Sequence, residues 1–262
     1  MTPAAIGQLE RVAALGWRAP EERWLGEWLL RAARGFTGRA NSALAIGDPG
    51  RPHDEAVGAV RRWYRARGLP PMITVCYPLD GPAPGAGPGA GGLDAFLAGA
   101  GWHVRAGRTI VMTAAAADVP RWHPGQGGMA VEFSEEPHDD WLSLYHHGGK
   151  PPPPIARRLL VSAPSQVFAT IREGRTPVAI GRLALADGWG GLTAIEVHPG
   201  HRRRGLGTLI TAALTSAASA RGVTRMYLQV EDDNTAAMRL YARCGFTSHH
   251  RYHYRVAPPQ GS

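Results

Sequence analysis

The segment Ile195-Glu196-Val197-His198-Pro199-Gly200-His201-Arg202-Arg203-Arg204-Gly205-Leu206-Gly207-Thr208 has the residue types to hold an anion. An apolar run that reads as a strand stops at Pro199-Gly200. An Arg-x-x-Gly-x-Gly loop then leads into a helical pattern that puts Leu206, Leu209, Ile210, Ala213 and Leu214 on one face. Unpaired N–H groups and the positive end of the helix dipole gather at such an N-terminus, and Gly205 and Gly207 let backbone approach a ligand closely. Arg202, Arg203 and Arg204 add guanidinium charge, so the chemistry is that of a cradle for a pyrophosphate.

The elements that must position this loop form a mixed α/β pattern. Upstream of it, strands are expected at 130–134, 166–172, 177–186 and 191–197, with a hairpin turn at Gly188-Trp189-Gly190-Gly191 and helices at 139–147 and 155–160. Downstream come a helix over 205–220, a strand over 226–230, a helix over 234–243 and a β region to Val256.

The first half repeats this order. Ala66 to Cys76 aligns without a gap on Ala220 to Val230, each reading as a helix end, a Gly just past it and a buried strand. Leu97-Ala98-Gly99-Ala100-Gly101-Trp102 parallels Tyr241-Ala242-Arg243-Cys244-Gly245-Phe246, each followed by a basic β-prone run, 103–113 and 247–256. Gly81 to Gly92 reads as a flexible insertion in the first copy. Expected domains are residues 1–118, a linker at 119–129, a second domain at 130–257 and a tail at 258–262.

Composition narrows the function. The 262 residues are 44% hydrophobic and 19% charged, enough apolar surface for two folded domains. Of 29 basic residues only Lys150 is a lysine, so the net charge of +8 reflects arginine usage and favours an anionic partner. No apolar run is long enough to span a membrane, and Glu10 and Arg11 interrupt the region where a signal peptide would lie, so a cytoplasmic protein is expected. The densest basic run is absorbed by the phosphate loop and no aromatic-interleaved basic stripe is present, so no nucleic-acid partner is expected. Cys76 and Cys244 read as buried thiols. No metal is expected either: strand geometry sends His249 and His250 to opposite faces, and no cysteine or carboxylate falls at a ligand spacing around them or His253.

Taken with the Arg-rich loop, Asn234-Thr235-Ala236-Ala237-Met238-Arg239-Leu240-Tyr241-Ala242-Arg243-Cys244-Gly245-Phe246 resembles the Gcn5-related N-acetyltransferase (GNAT) family, whose pattern is Arg/Gln-x-x-Gly-x-Gly/Ala followed by Asn-x-x-Ala-x-x-Leu-Tyr-x-x-x-Gly-Phe. The resemblance covers Val131 to Val256, with the first half as a degenerate copy, an arrangement similar to actinobacterial mycothiol synthase-like members. Arg34-Gly35-Phe36-Thr37-Gly38-Arg39-Ala40-Asn41-Ser42 is also similar to an N-acetylglutamate synthase-like group.

The resemblance implies an acetyl-CoA-dependent N-acetyltransferase acting on a small-molecule amine or amino acid, with protein acetylation or acyl-CoA sensing without turnover as alternatives. It implies that Ile195, Glu196 and Val197 pair with the pantetheine arm, that Arg202 to Thr208 hold the pyrophosphate, and that Asn234 contacts the pantetheine end. Tyr241 would be the general acid near sulfur, and Trp141, Tyr145, His146 and His147 would wall the acceptor. Glu196 or Glu231 is the base; where some relatives carry a catalytic Glu, Gln229 stands here. The first copy has Gly47 to Ala56 at the loop position, where Asp48, Asp54 and Glu55 put negative charge in place of a Gly-x-Gly, so no productive acetyl-CoA binding is expected there.

Overall fold

The computed structural model describes residues 2–81, 92–125, 129–146 and 149–259; the expected insertion falls almost wholly outside these residues, as does His147. The chain divides into two compact units. One takes the chain up to Glu10, Arg18–Ile110 and the chain from His249 on; the other takes Arg11–Trp17 and Val111–Ser248.

In the first unit, α1 (Pro3–Gly16) supplies its first turns, followed by β1 (Glu21–Leu25), β2 (Trp28–Ala32), β3 (Ala43–Leu44), α2 (His53–Arg65), β4 (Met72–Pro78), α3 (Gly92–Gly99) and β5 (His103–Val104). β1, β2 and β3 pair antiparallel in turn, and β3 pairs parallel with β4. On the far side of β4 lies β12 (Thr247–Val256), antiparallel from His250 opposite Pro78 to Val256 opposite Met72. Trp28, Leu30, Val60, Trp63, Tyr64, Ile73, Leu97 and Trp102 fill the core.

The second unit is built from β6 (Thr109–Ala115), β7 (Val131–Ser134), α4 (Asp139–Leu144), α5 (Ile155–Leu160), β8 (Ser165–Glu173), β9 (Thr176–Ala186), β10 (Trp189–Val197), α6 (Leu206–Ser219), β11 (Arg225–Glu231) and α7 (Thr235–Arg243). β7 to β10 pair antiparallel, β10 and β11 pair parallel, and β6 lies against the other side of β11.

Each copy therefore gives its last strand to the other unit's sheet: residues 249–256 close the first, and 111–115 close the second. This is why the units do not follow the expected boundaries at 118, 130 and 257. Local pattern marks strands correctly, but which sheet edge a strand joins is a long-range matter. Three smaller differences also have local causes. The run expected over 103–113 is split into β5 and β6 around Gly107, whose φ is +85°. The hairpin turn is Asp187-Gly188 (φ +47° and +72°), with Trp189 already paired to Ala186, because two consecutive positive φ values make the tight turn that matches strand twist. α4 stops at Leu144, with Tyr145 in extended backbone.

The duplication is written in the helix ends. Four helices finish with a positive-φ glycine and a bond from the next N–H back five residues: Leu69 to Tyr64, Trp102 to Leu97, Val223 to Ala218 and Phe246 to Tyr241. Each caps orphan carbonyls and turns an apolar residue back onto the helix. At Gly245 a side chain would also strike the Asp118 carbonyl at 2.7 Å. The motif at Arg34–Ser42 has a structural explanation. Asn41 accepts from the N–H groups of Ala33 (2.8 Å) and Gly35 (2.9 Å), and donates to the carbonyls of Phe36 (2.7 Å) and Thr37 (2.8 Å). That staple holds Arg34 and Thr37 at positive φ.

β12 is fixed in the first unit by charge. Arg255 donates from Nε (2.8 Å) and Nη2 (2.9 Å) to the two Asp94 oxygens, and His253 Nε2 lies 2.8 Å from the same carboxylate. Burial alone would raise the Asp94 carboxyl, but hydrogen bonds from Arg255 and His253 outweigh it and hold the group well below the usual carboxylate range. Asp94→Ala strands two buried cationic or polar partners and is expected to cost about 3 kcal/mol. Since the folded-state pKa is depressed, this contribution is present above the unfolded value of about 3.9 and lost as pH falls below it. Urea unfolding of wild type and variant checks this: the gap should narrow below about pH 4, and a pH-independent gap would contradict it.

Candidate active site

The site begins with a disturbance in β10. Thr193 pairs with Arg182 and Glu196 with Ile180, so Ala194 and Ile195 together oppose Gly181, a β-bulge, and Ala194 sits at φ +52°. β10 pairs with β11 from Trp189 opposite Arg225 to Leu192 opposite Leu228. Beyond Leu192 the two parallel strands part. Gly181 permits the bulge: a Cβ there would come within 2.5 Å of Ile210 and 3.3 Å of Ile195, so α6 lies directly on the sheet.

Past Val197 the chain makes a short turn at Pro199–His201 and enters α6 through Arg203 and Gly205, both at positive φ (+66° and +79°). The first helical bond runs from Leu209 N–H to the Gly205 carbonyl (3.0 Å), leaving the amides of Leu206, Gly207 and Thr208 without helical acceptors. The two glycines serve different needs. A Cβ on Gly205 would meet open space, so its requirement is the positive φ; a Cβ on Gly207 would lie 2.7 Å from Leu240 of α7, so its requirement is helix contact. Val197, Gly207 and Leu240 thus meet where the strands open.

The arginines are not deployed as one cluster. Arg202 folds back to donate to the Val197 carbonyl (3.3 Å), and Arg204 pairs with Glu173 (3.2 Å), which also receives His201 (2.9 Å). Hydrogen bonds from His201 and Arg204 lower the Glu173 carboxyl. Among the described residues the Arg203 guanidinium has no hydrogen-bond or ion-pair partner. A cleft of about 840 Å³ opens beside the loop, lined by Arg121, Arg172, Glu173, Arg204, Gly205 and Leu209. The clamp of Glu173 on His201 and Arg204 spans about thirty residues and leaves no mark in sequence spacing.

Glu196 and His146, singled out separately in the sequence, come together. The His146 N–H donates to Glu196 Oε1 (2.8 Å), while the ring Nδ1 lies 3.8 Å from Oε2 and 2.9 Å from the Leu144 carbonyl. Burial raises the Glu196 carboxyl; the His146 amide and nearby charge offset this only in part. Trp141 does not join them. It is 1% exposed, its indole N–H bonds to the Ala169 carbonyl (3.2 Å) and its ring meets Phe168 edge-on at 5.2 Å. A buried aromatic with its donor satisfied is core, so Trp141 anchors α4 instead of walling a pocket. Tyr145, 5% exposed, packs on it at 5.4 Å. Glu231 is exposed at the end of β11.

Asn234 caps α7, its side chain accepting from the Ala237 N–H (3.1 Å). α7 carries Ala237, Met238, Leu240 and Tyr241, yet none of its residues is fully buried, so an apolar helix face remains partly uncovered beside the strand opening. Burial, and then the neighbouring Cys244, push the Tyr241 hydroxyl up to about 12, so it stays protonated at neutral pH. Gly207→Val should force α7 off α6 and lower stability by about 1–3 kcal/mol. Gly205→Ala pays only for left-handed backbone, about 1–2 kcal/mol. Thermal unfolding combined with hydrogen exchange of α7 separates them: faster exchange in α7 is expected for Gly207→Val alone, and equal exchange in both would contradict the contact.

Among the described residues no helix is long and apolar enough to cross a membrane. Residues 3–255 match a family model described as "Probable histone acetyltransferase Rv0428c C-terminal". The chain is 30% identical over 258 residues to the uncharacterised N-acetyltransferase YobR of Bacillus subtilis (strain 168), covering 96% of this chain and 98% of that one. It is also 30% identical over 142 residues to the mycothiol acetyltransferase of Tsukamurella paurometabola, covering 50% of this chain and 42% of that one. A solved tandem GNAT protein from the clavulanic acid biosynthesis pathway has the same fold, with a TM-score of 0.64 and 17% identity over 97% of this chain and 89% of the other. The chain belongs to the Rv0428c C-terminal family and is an enzyme of the Gcn5-related N-acetyltransferases.

Proposed function

We propose that the chain transfers an acetyl group from acetyl-CoA to the primary amine of a small molecule or amino acid, at one site in the second unit. The observation that carries this reading is the opening between β10 and β11, which runs from strand backbone at 195–197 that pairs with β9 but not with β11 to the first-turn amides of Leu206, Gly207 and Thr208, which lack helical acceptors. An extended pantetheine arm needs the first and a pyrophosphate needs the second.

In this reading Ile195, Glu196 and Val197 present strand backbone to the arm, and the Val197 N–H polarises the thioester carbonyl. The amides from Arg203 to Thr208 receive the pyrophosphate. Arg203 is the guanidinium available to it, and Arg121 adds positive charge to the adjoining cleft, where Arg172 is paired with Glu132 and Asp140 and Arg204 with Glu173. Asn234 starts the uncovered face of α7 that would lie along the arm, and Tyr241 continues it.

The donor supplies its acetyl group as a thioester, already activated for attack. Glu196 is the better base of the two carboxylates, because burial raises its affinity for a proton and His146 fixes its orientation, whereas Glu231 is exposed. It takes a proton from the attacking ammonium or amine, directly or through water. As the nitrogen–carbon bond forms and the carbon–sulfur bond breaks, Tyr241 gives its proton to the departing thiolate. Its hydroxyl carries a proton at neutral pH, which is what donation to sulfur requires.

The first unit is not a second site of this kind. Its corresponding loop is closed by its own carboxylates: Glu27 accepts from the Asp48 N–H (2.6 Å), Asp48 accepts from the Gly50 N–H (2.8 Å), and Asp54 and Glu55 occupy the first turn of α2. A protein amine is the competing acceptor, favoured by the family's description as a probable histone acetyltransferase. A thiol-release assay with amino acids, amino sugars and a histone tail peptide decides between them; turnover confined to the peptide would overturn the small-molecule reading. With a competent amine, Glu196→Gln and Tyr241→Phe should each lower kcat by about 10²-fold or more with donor affinity little changed. The acid limb of kcat/KM should lie above the usual glutamate value of about 4.3 and disappear in Glu196→Gln. An unchanged limb would remove Glu196 as the base.

A further inference from the structure

Glu10 on α1, Cys76 on β4 and His250 on β12 lie side by side in the first unit, with one ligand atom from each within 4.8 Å of the others. They are 66 and 174 residues apart in sequence, which is why no spacing announced them. Glu10 is 4% exposed and His250 is not exposed at all. His250 Nε2 points at Glu10 Oε1 across 3.0 Å, and its other nitrogen, Nδ1, lies 2.8 Å from Nδ1 of His249. The expectation that His249 and His250 diverge is thus corrected: the side chains leave opposite faces of the strand, but their rings turn toward each other at its end.

We propose that Glu10, Cys76 and His250 bind a divalent transition-metal ion of the zinc class, tying α1 and β4 to the chain's last strand. The donor set is one carboxylate oxygen, one thiolate sulfur and one imidazole nitrogen, which suits zinc or cobalt and leaves a fourth position for water. His249 completes the pattern, since a metal-bound imidazole characteristically hydrogen-bonds through its second nitrogen to an outer partner. Charge also balances: a carboxylate and a thiolate together neutralise a dication in a setting where isolated charge is costly. Arg31, the nearby cation, has its guanidinium directed to the carbonyl and hydroxyl of Ser42 (3.2 and 3.3 Å). The site lies in the unit that lacks the phosphate loop, so its role is to hold β12 in place and not to serve acyl transfer.

The test uses the full chain, stripped with chelator and then titrated with cobalt(II) followed by zinc. One equivalent of cobalt should bind with a thiolate-to-metal absorption band, zinc should displace it, and zinc should raise the melting temperature. Cys76→Ser should abolish the band and Cys244→Ser should retain it, while His249→Ala should weaken cobalt binding by roughly 10–100-fold. Failure of the folded wild-type chain to give the band, or persistence of the band in Cys76→Ser with its loss in Cys244→Ser, would overturn the proposal. If Cys76→Ser does not fold, the wild-type and Cys244→Ser titrations decide, since these are the two cysteines of the chain.

Discussion

Everything in the second unit's site follows from the parting of β10 and β11 after Leu192. Parallel strands satisfy their backbone groups by staying together, so a parting needs a cause, and here it is the bulge that sets Ala194 and Ile195 against Gly181. The bulge turns β10 away from β11 and leaves strand backbone at 195–197 open to another extended chain. It also sets Glu196 to meet the His146 N–H, and delivers the chain to the left-handed residues that start α6. One local irregularity thereby creates the opening proposed to take the acyl donor, the proposed base and the entrance to the loop that starts α6.

Much of this was legible in the sequence because it is local. Arg202 to Thr208 read as a loop opening a helix, and they are one; Asn234 read as the start of the last helix, and it caps it. The doubled Gly-aromatic turns reappear as matching helix ends in both copies. Such signals depend on a few neighbouring residues, and helix caps and glycine φ values are decided within one turn.

What escaped the sequence is tertiary. Strand residues 103–113 and 247–256 carry the same β pattern whichever sheet they join, so the exchange of last strands had no local signature. Trp141 is an aromatic in a short amphipathic segment, and only the packing on Phe168 and the bond to Ala169 distinguish a core anchor from a pocket wall. The pairings of Glu173 with Arg204 and of Glu10 with His250 span the fold in the same way. Gly207 was legible as a necessary glycine, and the approach of Leu240 adds a packing reason that only the fold supplies.

The two copies show how a duplicated unit divides its tasks. In the second, the first-turn amides of α6 precede the first helical bond; in the first, Glu27 and Asp48 bond the amides of Asp48 and Gly50 ahead of α2, and Asp54 and Glu55 put negative charge in that helix's first turn. The central claim is therefore one working donor site per chain, and calorimetric titration of the full chain with acetyl-CoA tests it most directly. The account predicts a stoichiometry of one, with binding that weakens as salt rises because phosphate charge is recognised. Two equivalent sites per chain, or no binding at all, would contradict it.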